Sequence, residues 1–321
     1  MKRTISFILC AVFICSVMIC ITYAETSPLE IFTKESKTFS VTEIDMDTGK
    51  ETVRTFDKIV SSQLNEMETF DLPESKFMSS RSVMGSDERI KVEDTTVYPH
   101  SAIVLLEIDW GGIIPTYATG FMISENVAVT SAHALYKRNN GFAEEVKIYP
   151  AKDGFGAWNN PYGTTVAKAM GVCTEWVDFI DNNANIYATF HDGDWGAVIL
   201  DEPLGRETGI ISLKCPTDSE LETAKTKSII KLCGYPGDLH LLPYYQYMST
   251  GNVYEYMDEL IYYMLDSEGG QSGSPILDEN NTAIGIHCGG DPNEQSFNFA
   301  VRMDENMLYY YNLAIEDYKV S

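Results

Sequence analysis

The chain has 321 residues, of which 44% are hydrophobic, and this length is enough for one or two packed cores. Its formal net charge is -24 and its pI is about 4.4. An acidic protein of this kind repels nucleic acid and anionic membranes, so neither is expected as a partner.

Residues 1–24 have the features of a secretory signal peptide. A basic start is followed by an apolar run from Ile5 to Ile21, and Ala24 ends a small-residue cleavage site. The polar sequence that follows favours secretion, with no membrane attachment once the signal is removed. A retained anchor is one alternative, since the run is nearly the length of about 20 residues that spans a bilayer. A lipoprotein site at Cys20 is a weaker one.

Residues 25–81 differ in composition from the rest and are predicted to be a pro-segment. They are rich in Lys, Glu, Ser and Thr and contain neither Trp nor Cys. A turn around Gly49 between two β-type runs predicts a hairpin within them. Arg81, flanked by serines, offers a processing site for an activating protease, which would leave Ser82 as the new N-terminus. A small N-terminal domain or a flexible linker is the alternative that composition leaves open.

Beyond Ser82 the sequence consists of short apolar runs bounded by Gly, Pro, Asn or Asp, which predict many short β-strands. These runs are residues 102–108, 117–123, 126–132, 145–150, 195–200, 228–236, 260–265, 283–290 and 297–303. The pattern favours an all-β fold, either a sandwich or a pair of barrels, with residues 200–210 linking two halves of similar size. A single helix is predicted at the end of the chain, where Asp304 can cap a run with helical spacing.

The four cysteines beyond the signal peptide have no CxxC spacing, so a zinc site is not expected. No metal ligand and no cofactor are predicted, and the sequence leaves calcium binding open. They are Cys173, Cys215, Cys233 and Cys288. Outside the cell they could form two disulfides, or they could remain buried thiols, and their spacing does not decide between the two.

The stretch GGQSGSP places Ser272 in a glycine-rich loop. A serine hydroxyl is a weak nucleophile at neutral pH and needs a general base and a group that orients the base. His133 follows a β run and has small neighbours that leave room for an imidazole, and Asp194 precedes a buried-type strand. An isolated histidine is more often a core residue, and an isolated Asp194 more often a turn residue. The order His, Asp, Ser, with separations of about 60 and 80 residues, nevertheless matches a known triad order.

The glycines before Ser272 predict an oxyanion hole. Gly269 and Gly270 let the loop turn so that the amides of Gly270 and Ser272 point at one place. A side chain at Gly270 would obstruct the substrate carbonyl. The hydrolase elbow G-x-S-x-G is excluded, because Ser274 stands where its last glycine would be.

With these segments in place, the chain resembles the glutamyl endopeptidases, the V8-like branch of the chymotrypsin-type serine proteases. The motifs VTSAHAL, DGDWGAVIL, GGQSGSPI and IGIHCGG carry the resemblance. It implies a double β-barrel with the active site between the barrels. The N-terminal barrel would comprise residues 82–205 with His133 and Asp194, and the C-terminal barrel residues 206–321 with Ser272 and the terminal helix.

The resemblance also implies cleavage after Glu, less often after Asp, through an acyl-enzyme. Ser267 and His287 match the family positions that contact the substrate carboxylate, and Gly290 is part of the same pocket. A hydroxyl and an imidazole can both donate hydrogen bonds to a carboxylate, and a protonated imidazole adds positive charge. An ordinary histidine has a pKa of about 6.5, which a bound anion should raise.

Gln271 indicates how activation differs from that of trypsin-like relatives. In those relatives an aspartate at this position captures the new N-terminus, and glutamine cannot form that ion pair. The V8-like branch brings the freed amine near the specificity pocket, so the resemblance implies that Ser82 helps to bind the substrate carboxylate. A glutamate-specific enzyme would not cut after Arg81, so another protease is required.

The predicted function is therefore a secreted, monomeric serine endopeptidase, made as a zymogen, that cuts peptide or protein substrates after Glu. One alternative keeps the protease but gives it a different or broader specificity, because the pocket walls in residues 237–260 cannot be interpreted from sequence. A remote alternative is an inactive, protease-like binding protein, which an intact triad disfavours.

Overall fold

The computed structural model describes residues 37–59, 83, 86–182, 192–240, 242–290 and 297–319. The predicted signal peptide, Arg81 and Ser82 lie outside these described residues. So does His191, one of the five histidines of the sequence.

Two large antiparallel sheets make up most of the described chain. The strands are β1 (Thr38–Asp45), β2 (Lys50–Asp57), β3 (Ile90–Lys91), β4 (Ile103–Asp109), β5 (Thr116–Met122), β6 (Val127–Thr130), β7 (Tyr136–Lys137), β8 (Gly141–Phe142), β9 (Glu145–Pro150), β10 (Thr165–Cys173), β11 (Gly196–Leu200), β12 (Ile230–Gly234), β13 (Tyr247–Gly251), β14 (Val253–Tyr256), β15 (Leu260–Tyr263), β16 (Pro275–Leu277), β17 (Ala283–Gly290) and β18 (Asn298–Arg302). The helices are α1 (Thr174–Asn182), α2 (Gly205–Thr208), α3 (Asp218–Thr226) and α4 (Glu305–Asp317).

The first sheet closes into a six-stranded barrel. Its strand order is β11, β6, β5, β4, β9 and β10, and pairing between β10 and β11 completes the ring. Strands β6 and β11 are buried at every position, as their uninterrupted apolar sequences lead one to expect. Closure leaves the ring without an unpaired edge. Its side chains belong to the larger hydrophobic core, which also includes residues of the second sheet and of α4.

The second sheet runs in the order β14, β15, β18, β17, β16, β12, β13 and β3. It is an open, barrel-like sheet with a core of its own. Strand β3 precedes the first barrel in the sequence yet pairs with β13, Lys91 lying opposite Tyr247. The two sheets confirm the all-β, double-barrel architecture that the resemblance implies.

The predicted hairpin around Gly49 is present as β1 and β2. Strand β1 lies antiparallel to β10, from Val41 opposite Cys173 to Asp45 opposite Ala169. This part of the predicted pro-segment therefore extends the sheet of the first barrel.

The predicted C-terminal helix is α4, and the Asp304 side chain caps it by accepting a hydrogen bond of 2.7 Å from the amide of Met307. The helices α1, α2 and α3 are also present, and the sequence pattern did not predict them. These helices are short, and α3 is so polar that its apolar spacing is weak; it begins with a capping box formed by Thr217 and Glu220. None of the helices in the described residues has the length and apolarity needed to cross a bilayer.

Helix α4 follows the second sheet in sequence but packs on the first barrel. The rings of Tyr310 and Tyr311 both lie 5.9 Å from the ring of Trp195, centroid to centroid. Trp195 directly follows Asp194, so the helix buttresses the chain that carries this candidate catalytic residue.

The four cysteines of the described chain are thiols, and no disulfide joins them. Cys173, Cys233 and Cys288 are buried, and burial raises the pKa of each. Cys215 is half-buried, and burial raises its pKa to about 12. Of the two possibilities left open by the sequence, buried thiols is the one that the structure shows.

Candidate active site

His133 and Asp194 come together because the strands beside them are neighbours. His133 lies in a short 3-10 turn just after β6, and Asp194 lies just before β11, with Thr130 opposite Gly196. The Nδ1 atom of His133 is 2.7 Å from Oδ2 of Asp194. The backbone amide of His133 donates a second hydrogen bond, of 2.8 Å, to Oδ1.

The Asp194 carboxylate is buried, with 1% of its side chain exposed. A buried carboxylate needs partners to offset its desolvation, and the two hydrogen bonds from His133 supply them. An Nδ1–H that donates to the carboxylate leaves Nε2 as the proton acceptor, the arrangement that a general base requires.

Trp176 of α1 packs beside the imidazole of His133, with ring centroids 6.2 Å apart. Sequence reasoning missed this contact, because it did not predict α1. Of the other described histidines, His100 pairs with Gln246 at 2.9 Å and His240 with Tyr247 at 2.9 Å. Only His133, among the described histidines, contacts a carboxylate.

The loop that carries Ser272 is held against β17. The amide of Gly273 donates to the carbonyl of His287 at 2.7 Å, and the amide of His287 donates to the carbonyl of Ser274 at 2.8 Å. The carbonyl of Ser272 itself accepts a hydrogen bond of 2.8 Å from the amide of Thr119 on β5. The nucleophile loop is thus fixed from both barrels.

Gly273 also brings this loop against the chain that leads to His133. Its φ is +84°, and a Cβ at this position would lie 2.9 Å from the backbone nitrogen of Ser131, so only glycine fits here. Within the described chain no hydrogen bond joins Ser272 Oγ to His133. In serine hydrolases this contact often tightens only when substrate binds.

The two amides predicted to form the oxyanion hole differ from their neighbours in the loop, because they make no hydrogen bond within the described residues. The amides of Gln271 and Gly273 donate to carbonyls of the protein, at 3.0 and 2.7 Å. Within the described residues the amides of Gly270 and Ser272 donate to none. They remain available to a ligand, as an oxyanion hole requires.

Gly270 adopts a φ of +99°, and a Cβ there would collide with the carbonyl oxygen of Tyr235. Thr119, which sequence reasoning missed, holds this part of the loop. Its Oγ1 donates to the carbonyl of Gly270 at 2.8 Å and accepts from the amide of Tyr235 at 3.0 Å. No sequence signal marks Thr119 beyond a polar residue within an apolar strand.

The predicted specificity residues are buried near the catalytic loop. Ser267 is 0% exposed, and its hydroxyl has no hydrogen-bond partner in the described part of the chain. Gly290 ends β17 opposite Asn298 and is also buried. The imidazole of His287 lies 2.5 Å from the hydroxyl of Tyr263 through its Nδ1 atom.

Burial, together with the nearby His133, lowers the pKa of His287 to about 3. The expected positive charge in the pocket is therefore absent while no ligand is bound.

The chain at Glu88 lies beside this pocket. The amide of Glu88 donates a hydrogen bond of 2.7 Å to the carboxylate of Asp266, the residue before Ser267. Ser82 itself lies outside the described residues. No three side chains among the described His, Cys, Asp and Glu residues are grouped to hold a metal ion.

No family model matches the chain. A glutamyl endopeptidase of Bacillus licheniformis is 29% identical over 239 residues, covering 72% of this chain and 68% of that protein. A Bacillus subtilis protein named extracellular metalloprotease is 28% identical over 232 residues, covering 71% of this chain and 67% of that protein. A solved structure of a Glu endopeptidase in complex with MPD superposes with a TM-score of 0.60 at 26% identity, covering 72% of this chain and 98% of that one.

Fold, local geometry and these similarities agree on one class: the chain is a chymotrypsin-type serine endopeptidase. Within that class it is a V8-like protease, and its relatives include glutamyl endopeptidases.

Proposed function

We propose that this chain is a secreted glutamyl endopeptidase that cuts peptides or proteins after Glu and less readily after Asp. The observation that carries the proposal is the hydroxyl of Ser267, which is fully buried and unpaired within the described residues. A buried polar group without a partner costs about 1–3 kcal/mol. The carboxylate of a substrate glutamate would offset that cost. The relatives named glutamyl endopeptidases support the same specificity.

The proposed reaction is acyl transfer to Ser272. As Oγ attacks the scissile carbonyl carbon, Nε2 of His133 takes the hydroxyl proton and later gives it to the leaving amine. The amides of Gly270 and Ser272 stabilise the tetrahedral oxyanion, and losing one such donor costs about 3–4 kcal/mol of barrier. Water then repeats these steps on the acyl-enzyme. Asp194 keeps the imidazole oriented throughout.

The pocket gains its positive charge together with the substrate. The hydroxyl of Tyr263 lies 3.2 Å from the carbonyl of Phe299, which can only accept, so Tyr263 donates to it. Tyr263 then accepts from Nδ1–H of His287, and Nε2 of the neutral ring carries a lone pair. A glutamate carboxylate raises the pKa of His287, so the ring takes up a proton and donates to the carboxylate.

A peptide panel tests the specificity. One sequence is offered with Glu, Asp, Gln or Leu before the cut. We expect kcat/KM for Glu to exceed that for Gln by about 100-fold or more, because buried donors discriminate strongly against ligands that leave them unsatisfied. The Ser272→Ala variant is the blank. Equal rates for Glu and Gln would reject the specificity and leave the serine protease in place.

The pH dependence of the same panel tests the proton uptake. We expect KM for the Glu peptide to rise with pH from 6 to 9, because the protonated pocket binds it, while KM for the Gln peptide changes little. Parallel profiles for the two peptides would show that the ring donates without gaining a proton.

The proposal includes synthesis as a zymogen, with residues 1–24 as signal peptide and residues 25–81 as pro-segment. Support comes from the docked amide of Glu88, because the six residues back to Ser82 can span about 20 Å and reach the pocket beside Asp266. The freed amine of Ser82 would then help to bind the substrate carboxylate, and the mature enzyme would act as a monomer without a cofactor.

N-terminal sequencing of the secreted protein tests the processing, with Ser82 as the expected first residue. An Arg81→Ala variant that stays unprocessed should cut glutamyl peptides less well than the processed enzyme. Full activity of that unprocessed chain would contradict a role for the amine.

A further inference from the structure

The buried side chain of Arg89 makes an ion pair with the partly exposed carboxylate of Asp238, and the reaction described above does not use this pair. Its Nη1 and Nη2 atoms donate to Oδ1 and Oδ2 of Asp238 at 2.8 and 2.6 Å. Its Nε and Nη2 atoms donate to the carboxylate of Asp87 at 2.9 and 2.8 Å. Only 1% of the Arg89 side chain is exposed. Such bidentate pairs combine strength with a fixed geometry.

The turn that contains Asp238 packs against the loop of the proposed oxyanion hole, at Gly269 and Gly270. The amide of Gly237 donates a hydrogen bond of 2.7 Å to the carbonyl of Gly269. The carbonyl of Tyr235 presses against Gly270, so closely that a Cβ would not fit. A shift of the turn would therefore be transmitted to the residue that supplies one of the proposed oxyanion amides.

The other end of the ion pair is anchored independently of this turn. Arg89 directly follows Glu88, whose amide binds Asp266, and it directly precedes β3, which pairs with β13. The anchoring uses no free N-terminal amine.

We propose that Arg89 is a positioning residue for the oxyanion hole. It fixes the turn at residues 235–238, and this turn holds Gly269 and Gly270 with the amide of Gly270 directed toward the substrate carbonyl. The inference rests on the proposed function of Gly270 and Ser272. The loop needs such support, because Gly270 has a positive φ and the two free amides contribute no hydrogen bonds to hold it.

Paired variants of the two carboxylates separate positioning from plain structural stability. Asp238→Asn and Asp87→Asn each remove one charge from Arg89, but only Asp238 lies on the turn. We expect Asp238→Asn to lower kcat by about 10–100-fold with little change in KM, since complete loss of an oxyanion donor costs about 100–1,000-fold. The kcat of Asp87→Asn should stay within about 3-fold of the kcat of the parent enzyme. Arg89→Gln should lower kcat by about as much as Asp238→Asn does.

A transition-state analogue gives a second readout. A peptide aldehyde forms a tetrahedral adduct with Ser272 whose oxygen occupies the oxyanion hole, so its inhibition constant should weaken by the same factor as kcat falls. The affinity of the uncut peptide, measured with each variant in a Ser272→Ala background, should change much less. Arg206→Gln is the matched control, because it removes an arginine paired with Glu125 far from the loop in sequence.

Equal losses for Asp87→Asn and Asp238→Asn, or equal weakening of aldehyde and uncut peptide, would overturn the proposal and leave a structural ion pair. If Arg89→Gln fails to fold, the kcat of Asp238→Asn tests the proposal on its own. The urea midpoint of that variant is measured as well, to show that it is folded. The best peptide of the specificity panel serves as substrate, so a failure of the Glu preference does not affect this comparison.

Discussion

Asp194 of the His133–Asp194 pair and the pocket residues Ser267 and His287 are all buried, yet the hydrogen-bonding needs of the pair and of the pocket are met in opposite ways. Both oxygens of Asp194 accept hydrogen bonds from His133. Ser267 has no partner in the described residues, and burial keeps His287 neutral. The proposed catalytic pair is complete before substrate arrives, whereas the proposed pocket becomes complete only when an anion enters it.

This difference has an energetic consequence. A pair that satisfies itself stabilises the fold and the reaction together, so breaking it harms both. An unpaired buried hydroxyl lowers stability and contributes only through its ligand, so removing it separates stability from activity. Substitutions in the two regions should therefore have different signatures.

Asp194→Asn should have the largest effect. The amide keeps the shape of the carboxylate but cannot hold His133 in the tautomer that accepts a proton, and we expect kcat to fall by about 10⁴-fold. Steady-state kinetics on a saturating peptide measures this. Asp181→Asn is the matched control, because that carboxylate is exposed and accepts from Tyr136 instead. A loss smaller than 10-fold would remove Asp194 from the proposed mechanism.

Gly270→Ala should come next. The added methyl collides with the carbonyl of Tyr235 at a φ of +99°, so the loop must move and the oxyanion amide with it. We expect kcat to fall by about 100–1,000-fold. Gly112→Ala, at a position with open space around it, should leave kcat unchanged. Retention of the parent kcat by Gly270→Ala would show that this amide is not part of the hole.

Ser267→Ala should separate activity from stability. A hydrogen bond to a charged group contributes about 1.5–3 kcal/mol, so kcat/KM on Glu peptides should fall by about 10–100-fold. Gln and Leu peptides should change little, and the free energy of unfolding should rise by about 1 kcal/mol. Urea titrations provide that value, with Ser219→Ala on exposed α3 as control. A variant that loses stability would indicate a hydroxyl satisfied inside the fold.

Local sequence patterns are enough to predict those parts of the fold that depend on nearby residues. Short apolar runs bounded by turn residues predict the strands, and Asp304 predicts the start of α4, because both signals depend on neighbouring residues. The short helices escape prediction, since nine residues give few repeats of a helical period.

The site divides in the same way. The order of His133, Asp194 and Ser272 in the sequence predicts a triad, and in the structure His133 and Asp194 are hydrogen-bonded. The roles of Thr119 and Arg89 cannot be predicted from the sequence. Their partners, Gly270 and Asp238, lie about 150 positions away in the chain. The neutral state of His287 cannot be read either, since desolvation is a property of the packed core and not of the residue type.

The pH dependence of stability isolates His287. The ring titrates near 6.5 in the unfolded chain, and burial lowers its pKa to about 3 in the fold. Between these values the unfolded chain binds a proton that the folded chain does not, so the free energy of unfolding falls as pH is lowered. The contribution reaches about 1.4 kcal/mol per pH unit and vanishes above pH 6.5.

Urea unfolding from pH 4 to 7.5 measures this slope, in a Ser272→Ala background that prevents self-cleavage. Replacing His287 by Gln should remove it. Glu43 and Glu259, whose pKa values burial raises, act in the opposite direction but are common to both proteins. The difference between the stability curves of the proteins with His287 and with the His287→Gln substitution therefore reports the titration of His287. A constant difference across that pH range would mean that the ring binds protons in the fold as it does in the unfolded chain, so that burial does not lower its pKa.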